Sequence, residues 1–176
     1  MTREEFRRWA ENQPRGRFEL IAGRVVAMAP ERGAHLRAKA DVLLALRNAI
    51  ADAGVDCEAL PDGATVEVDD DTAYEPDAVV TCGERMGDDA TVAPNPVIVV
   101  EVLSPSTRTV DTGAKLTDYF RVPSIRHYLI LRTDRRVVVH HRRREDGGIE
   151  TRLVAAGPIH MDPPGIAVAA ERVFGG

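Results

Sequence analysis

Residues 97–103 read Val-Ile-Val-Val-Glu-Val-Leu, an apolar run with one charge. Turn formers bound it, Pro94-Asn95-Pro96 before and Ser104-Pro105-Ser106 after. Such a run reads as a strand buried on both faces. A carboxylate at Glu101 then costs roughly several kcal/mol unless it is paired or bound to a cation. Upstream, Glu75-Pro76-Asp77-Ala78-Val79-Val80 reads as a second short apolar strand with an acid at its start. Two neighbouring strands that each present an acid at a shared edge make a hard-oxygen site, the kind that holds Mg²⁺. Taken alone, Glu101 fits equally a buried acid that pairs with Arg or Lys, or that caps backbone amides. Asp77 and Lys115 weigh toward a metal.

The rest of the chain frames these two strands. Residues 2–11 have the spacing of a short amphipathic helix, with Phe6 and Trp9 on one face. Residues 18–28 read as two strands around a tight turn at Ala22-Gly23. Residues 34–53 form the best helix, with Leu36, Ala40, Leu43, Leu46 and Ile50 in register and Gly54 as its stop. Short strands are expected near 57–60, 64–68 and 77–82, with a solvated acidic turn at 69–71. A helix over 108–121 ends before Pro123. Strands at 128–131 and 137–140 follow, then one at 149–154 after Gly147-Gly148, and a last short element runs to Phe174. This order predicts an α/β (α+β) fold, a mixed central sheet flanked by helices, in one domain spanning 1–176.

Composition excludes more than it identifies. The 176 residues are enough for one sizeable core, and 44% hydrophobic with 29% charged residues is ordinary for a soluble globular protein. A net charge of −5 argues against broad electrostatic coating of nucleic acid. Arginines cluster at 135–136 and 142–144 and near the N-terminus, a pattern that most often marks solvated faces. No apolar run reaches the ~20 residues that span a membrane, and no signal peptide is visible. Two cysteines, Cys57 and Cys82, are too few for a disulfide framework and lack zinc-ligand spacing. Cys82 is expected as a small core residue, and a reducing cytoplasm as the location.

Four polar residues belong together: Glu19, Asp77, Glu101 and Lys115. Glu19 alone would be a solvent-facing strand residue. Lys115 lies one helical turn beyond Asp111, a spacing that also suits a surface ion pair. If the helix crosses the end of the Glu101 strand, the ammonium instead reaches the acids. Such a site suits phosphodiester hydrolysis, with a metal on two carboxylates and a lysine stabilising transition-state charge. His35 and Tyr119 are possible accessory residues; each also suits an ordinary structural role. His140 and His141 alternate faces on one strand and are expected at the surface or a sheet edge.

At these residues the chain resembles a known family. Pro76-Asp77, then Glu101-Val102-Leu103-Ser104-Pro105-Ser106-Thr107, then Asp111, Lys115 and Tyr119 are similar to the putative restriction endonuclease family of the PD-(D/E)XK nuclease superfamily. The opening hairpin at 18–28, His35 before the long helix and Tyr128-Leu129-Ile130 agree. The likeness runs from about Phe18 to Phe174. It implies a restriction-endonuclease-like core, a Mg-dependent endonuclease (Mg²⁺ or Mn²⁺ as cofactor) and a nucleic acid substrate, DNA in the first instance. It also implies Asp77 and Glu101 as metal ligands, Glu19 as an accessory acid and Lys115 as the catalytic lysine. The superfamily pattern places that lysine two residues after the glutamate, where this chain has Leu103; a lysine displaced onto the next helix fits Lys115. A homodimer is expected, since a small nuclease must cut two strands. Two rival readings stand beside the enzyme: a non-catalytic nucleic-acid-binding or assembly module that keeps the fold, and a hydrolase or repair-linked factor acting on an unusual nucleic acid structure.

Overall fold

The computed structural model describes residues 1–103 and 112–175. The string at 104–107, Asp111 and the start of the helix expected from 108 lie outside them. Helix α1 (Arg3–Glu11) begins on a reciprocal cap. Glu5 N–H donates to the Thr2 hydroxyl, and Thr2 N–H donates to the Glu5 carboxylate. Phe6 and Trp9 stack with ring centroids 6.2 Å apart. Strands β1 (Phe18–Ile21) and β2 (Arg24–Ala27) form the expected hairpin. Ala22 and Gly23 both have positive φ at its turn, the backbone shape that matches strand twist. Helix α2 (Gly33–Ala53) stops at Gly54, in the left-handed conformation.

Strand β3 (Cys57–Pro61) is followed by the short strands β4 (Val66–Glu67) and β5 (Ala73–Tyr74). The last two join the hairpin in a four-stranded sheet ordered β2-β1-β5-β4. The main sheet adds β6 (Ala78–Cys82), β7 (Pro96–Leu103), β8 (His127–Arg132), β9 (Val137–Arg143) and β10 (Ile149–Val154), in the order β10-β9-β8-β7-β6-β3. Among the described residues only β7 and β8 pair in parallel in that sheet. A parallel neighbour needs a crossover, and helix α3 (Thr112–Tyr119) lies within it. The chain closes with hairpin β11 (Pro158–Met161) and β12 (Ile166–Ala169) and a 3₁₀ turn at Ala170–Phe174.

Alternation along the strands sorts the two faces. Ala78, Val80, Ile98, Val100 and Val102 share one core with Val42, Leu46 and Ile50 of α2. Val79, Val99, Tyr128 and Ile130 share the other with Tyr119, Tyr74 and Ile125. Glu101 falls in the second set, on the α3 side, at the C-terminal end of a strand buried along nearly its whole length.

Three expectations are corrected. Leu36 and Ala40 are exposed, because the buried face of α2 runs through His35, Lys39, Val42, Leu46 and Ile50. Cys57 and Cys82 face one another across β3 and β6 and form a disulfide, so Cys82 is a cross-link rather than a lone core residue. The pairing depends on a register between strands that are distant in sequence. His140 and His141 are buried, not at the surface or an edge, because β10 lies outside β9 and both faces are covered. His141 Nδ1 bonds the Thr151 hydroxyl at 2.8 Å. His140 Nε2 lies 2.9 Å from His127 Nδ1. Among the described residues no helix is long and apolar enough to cross a membrane.

Candidate active site

The site is built where β1, the start of β6, β7 and helices α2 and α3 converge. Glu19, His35, Lys39, Asp77, Glu101 and Lys115 are each less than a tenth exposed. Burial on this scale forces pairing, and every charge among them has a partner.

One cluster centres on Glu101. Lys115 Nζ donates to Glu101 Oε1 at 2.9 Å and to Glu19 Oε1 at 2.8 Å. The Tyr119 hydroxyl, one turn further along α3, donates to the same Glu101 oxygen at 2.7 Å. The ammonium also lies 4.9 Å from the centroid of the Tyr74 ring, within cation–π range. Burial pushes the Glu101 carboxyl above its ordinary value; Lys115 pulls it back, while the charges of Asp77 and Glu19 push it up further. Burial alone would lower Lys115, but Glu101 and Glu19 more than offset it, and the ammonium is held above its usual range. Burial, reinforced by the Glu101 charge, keeps Tyr119 protonated well past the normal phenol range.

A second cluster centres on Asp77, immediately ahead of β6. Its N–H donates to Val100 O at 2.9 Å, the carbonyl of the residue that pairs with Ala78. The one-to-one register therefore does not continue to Glu101. This local offset coincides with a side chain that meets α2: Asp77 Oδ1 lies 3.0 Å from Lys39 Nζ, and Oδ2 lies 3.5 Å from His35 Nε2. Oδ2 also accepts Val102 N–H at 2.6 Å, so Asp77 is bonded to the residue beside Glu101. Burial would raise Asp77; the His35 bond, Lys39 and the Val102 amide outweigh it and hold the carboxyl below its ordinary value. Lys39 also contacts Glu31 at 2.7 Å and Asp62 at 2.5 Å, and Arg17 bridges Glu31, Asp62 and Glu75. Glu75 N–H donates to Glu19 Oε1 at 3.2 Å, which ties the two clusters together.

All four residues singled out in the sequence thus lie in one connected network, with His35 and Tyr119 in direct contact with Asp77 and Glu101. Sequence reasoning missed Lys39, Glu31, Asp62 and Arg17. Lys39 carried a signal: it stands at i+4 from His35, so both project from one face of α2. Glu31, His35 and Asp77 each offer a ligand atom within 4.8 Å of the others, a group that could hold a metal ion. The His35 Nδ1 is buried and has no hydrogen-bond partner among the described residues.

A mixed sheet with helices on its faces and acids at the ends of two adjacent strands is the arrangement expected of a restriction-endonuclease-like core. The crystal structure of a protein described as a putative nuclease belonging to DUF820, from Anabaena variabilis, superposes with a TM-score of 0.73. It covers 99% of this chain and 97% of its own at 15% identity, a likeness of fold. The chain belongs to the Uma2 family, described as "putative restriction endonuclease", whose model matches residues 3–170. An uncharacterized protein of Synechocystis sp. is 26% identical over 175 residues, 98% of this chain and 90% of that protein.

Proposed function

We propose that the chain is a divalent-metal-dependent endonuclease that hydrolyses phosphodiester bonds of DNA, with its site in a single domain spanning 1–176. The observation that carries this reading is the buried network itself: acids at the ends of β6 and β7, each bonded to a lysine from a different helix, in a nuclease fold. A structural ion pair needs one lysine and one acid. Here Glu19, Asp77 and Glu101 are gathered with Lys39 and Lys115 at the end of the sheet, an arrangement that disfavours folding unless something is gained from it.

The residues present fit a hard divalent cation. Glu31, His35 and Asp77 are the group whose ligand atoms lie together, and Asp77 is its shared acid. Glu101, which lies outside that group, is proposed as a further ligand on the family resemblance. Bound Mg²⁺ or Mn²⁺ would supply Lewis acidity toward a phosphoryl oxygen and a more acidic water. Asp77, with its lowered pKa, stays a carboxylate through the neutral range. Lys115 stays an ammonium, so its contribution is electrostatic: it orients the acids and offsets charge on the phosphate rather than accepting a proton. Glu19 is the second carboxylate that holds Lys115, and Tyr119 fixes the Glu101 rotamer through its hydroxyl. A duplex has two strands, and a homodimer would bring two such sites to it.

Labelled duplex DNA, single-stranded DNA and RNA incubated with Mg²⁺ or Mn²⁺ test the reading. Wild type should cleave DNA, whereas Asp77→Ala and Glu101→Ala should not. Binding without cleavage under every ion would instead assign the chain to the non-catalytic nucleic-acid-binding module.

A further inference from the structure

We propose that the outer edge of β10 is a homodimer surface, which pairs antiparallel with the same strand of a second copy about a two-fold axis through Thr151. The inference does not rest on the nuclease reading. Strand β10 ends the main sheet, and among the described residues no strand pairs with its outer side. The opposite edge is blunted: Arg47 of α2 donates to Ala59 O of β3, and Pro61 has no N–H to offer.

Backbone polarity along β10 is fixed by two flanking bonds. Arg144 N–H donates to Gly148 O, which sets the phase of the ladder, although at this turn the return bond to Arg144 O comes from Gly147 N–H. Alternation then makes Arg142 with Glu150, and His140 with Arg152, the hydrogen-bonded pairs of the β9–β10 ladder. Arg143 N–H to Arg126 O gives the same phase from the other side, since β9 turns its odd residues to β8. The N–H and C=O groups of Ile149, Thr151 and Leu153 therefore face outward.

The sequence of that edge, Ile149-Glu150-Thr151-Arg152-Leu153, is complementary to itself when reversed. A dyad at Thr151 sets Ile149 against Leu153 of the copy, Glu150 against Arg152, and Thr151 against its own counterpart. The outward backbone groups of 149, 151 and 153 meet in the hydrogen-bonded pairs. Glu150 and Arg152 fall in the intervening non-hydrogen-bonded pairs, where facing side chains lie closest. Leu153 is 73% exposed and Ile149 40%, both on one face, so the pairing also covers apolar surface that is bare in the monomer. A charge on an edge strand ordinarily repels a partner strand. Within one copy Glu150 already pairs with Arg142 and Arg152, and across the dyad each charge again meets its opposite, so the two copies would join into one alternating row of charges. The result is one continuous sheet, six strands from each copy.

Sedimentation of the full chain over a concentration series tests this, with melting curves to show that each variant is folded. Wild type should dimerise. Glu150→Arg sets like charges opposite one another twice and should weaken the dimer at least about tenfold. The double variant Glu150→Arg, Arg152→Glu restores opposite charges and should restore dimerisation. Leu153→Pro removes an outward N–H but no bond to β9, and should give a folded monomer. A wild type that stays monomeric overturns the proposal. So does a dimer indifferent to Glu150→Arg and Leu153→Pro, or one that the double variant fails to rescue.

Discussion

Lys115 meets Glu101 at 2.9 Å and Glu19 at 2.8 Å with a single ammonium, so a lysine from α3 links the first strand of the chain to the central strand β7. Leu103 occupies the position two residues after Glu101 where the superfamily carries its lysine. Lys115 brings the same charge to Glu101 from another element.

Removing that charge should be felt in stability as well as activity. Lys115→Met leaves Glu19 and Glu101 facing each other without a cation, at a cost of about 3–5 kcal/mol. The sign with pH follows from Glu101. Its folded pKa is already raised, and losing Lys115 raises it further. A raised acid binds more protons folded than unfolded, so the penalty should be largest above neutrality and shrink toward pH 5. Urea titrations at pH 8 and pH 5 check this. Cleavage should fall by about 10²–10³-fold in Lys115→Ala, as for loss of one preorganised electrostatic donor.

Glu101→Gln should behave differently. The amide oxygen still accepts from Lys115 and Tyr119, and Lys115 keeps Glu19 as its counter-ion. Relief of burial and of repulsion from Asp77 acts in the opposite direction. Thermal melts in EDTA should therefore place the variant within about 1 kcal/mol of wild type. Mn²⁺ calorimetry should show strong loss of binding. A stability loss of several kcal/mol without metal would make Glu101 a structural ion-pair partner.

Asp77 and Glu101 are legible in the sequence because a charge breaks a pattern, whereas Glu19 and Lys115 are reached through the family resemblance. Glu101 interrupts a β-branched run and Asp77 opens one, so both could be read without knowing which strands are neighbours. Lys39 breaks nothing. A lysine in the first turns of a long helix reads as solvent-facing, and only the fold reveals that Asp77, Glu31 and Asp62 surround it. Glu31 lies in the break before α2, where no periodicity exists to violate. The burial of His140 and His141 depends on β10 covering β9, and the disulfide depends on β3 pairing with β6. Strand order of this kind is a long-range property that local spacing does not encode.

Reduction of the Cys57–Cys82 disulfide should lower stability without dismantling the site. The bond closes a loop of 25 residues separation, for which chain entropy gives about 3–4 kcal/mol. Cys82 is at the opposite end of β6 from Asp77. Melts with and without dithiothreitol should differ by several degrees, while Mn²⁺ affinity should be unchanged. Equal melting in both would show that the cross-link adds no net stability to the β3–β6 pairing.

Acid should destabilise the protein through a pair far from the acids. His127 Nε2 lies 3.0 Å from Pro163 O, an acceptor, so Nε2 carries the proton and Nδ1 is left to accept. His140 Nε2–H then donates to His127 Nδ1, and both rings are neutral. Burial pushes each down to about 4. The unfolded chain binds protons near pH 6.5, before the folded one does, so stability should fall as pH drops from about 6.5 to about 4, with a slope approaching 1.4 kcal/mol per unit for each histidine. Below about 4 both states are protonated and this contribution levels off. Denaturation midpoints across pH 8 to pH 4, read beside the imidazole NMR shifts, check it. Rings that titrate near 6.5 in the folded protein, with no loss of stability between 6.5 and 5, would show that the neutral pair is not what the fold holds.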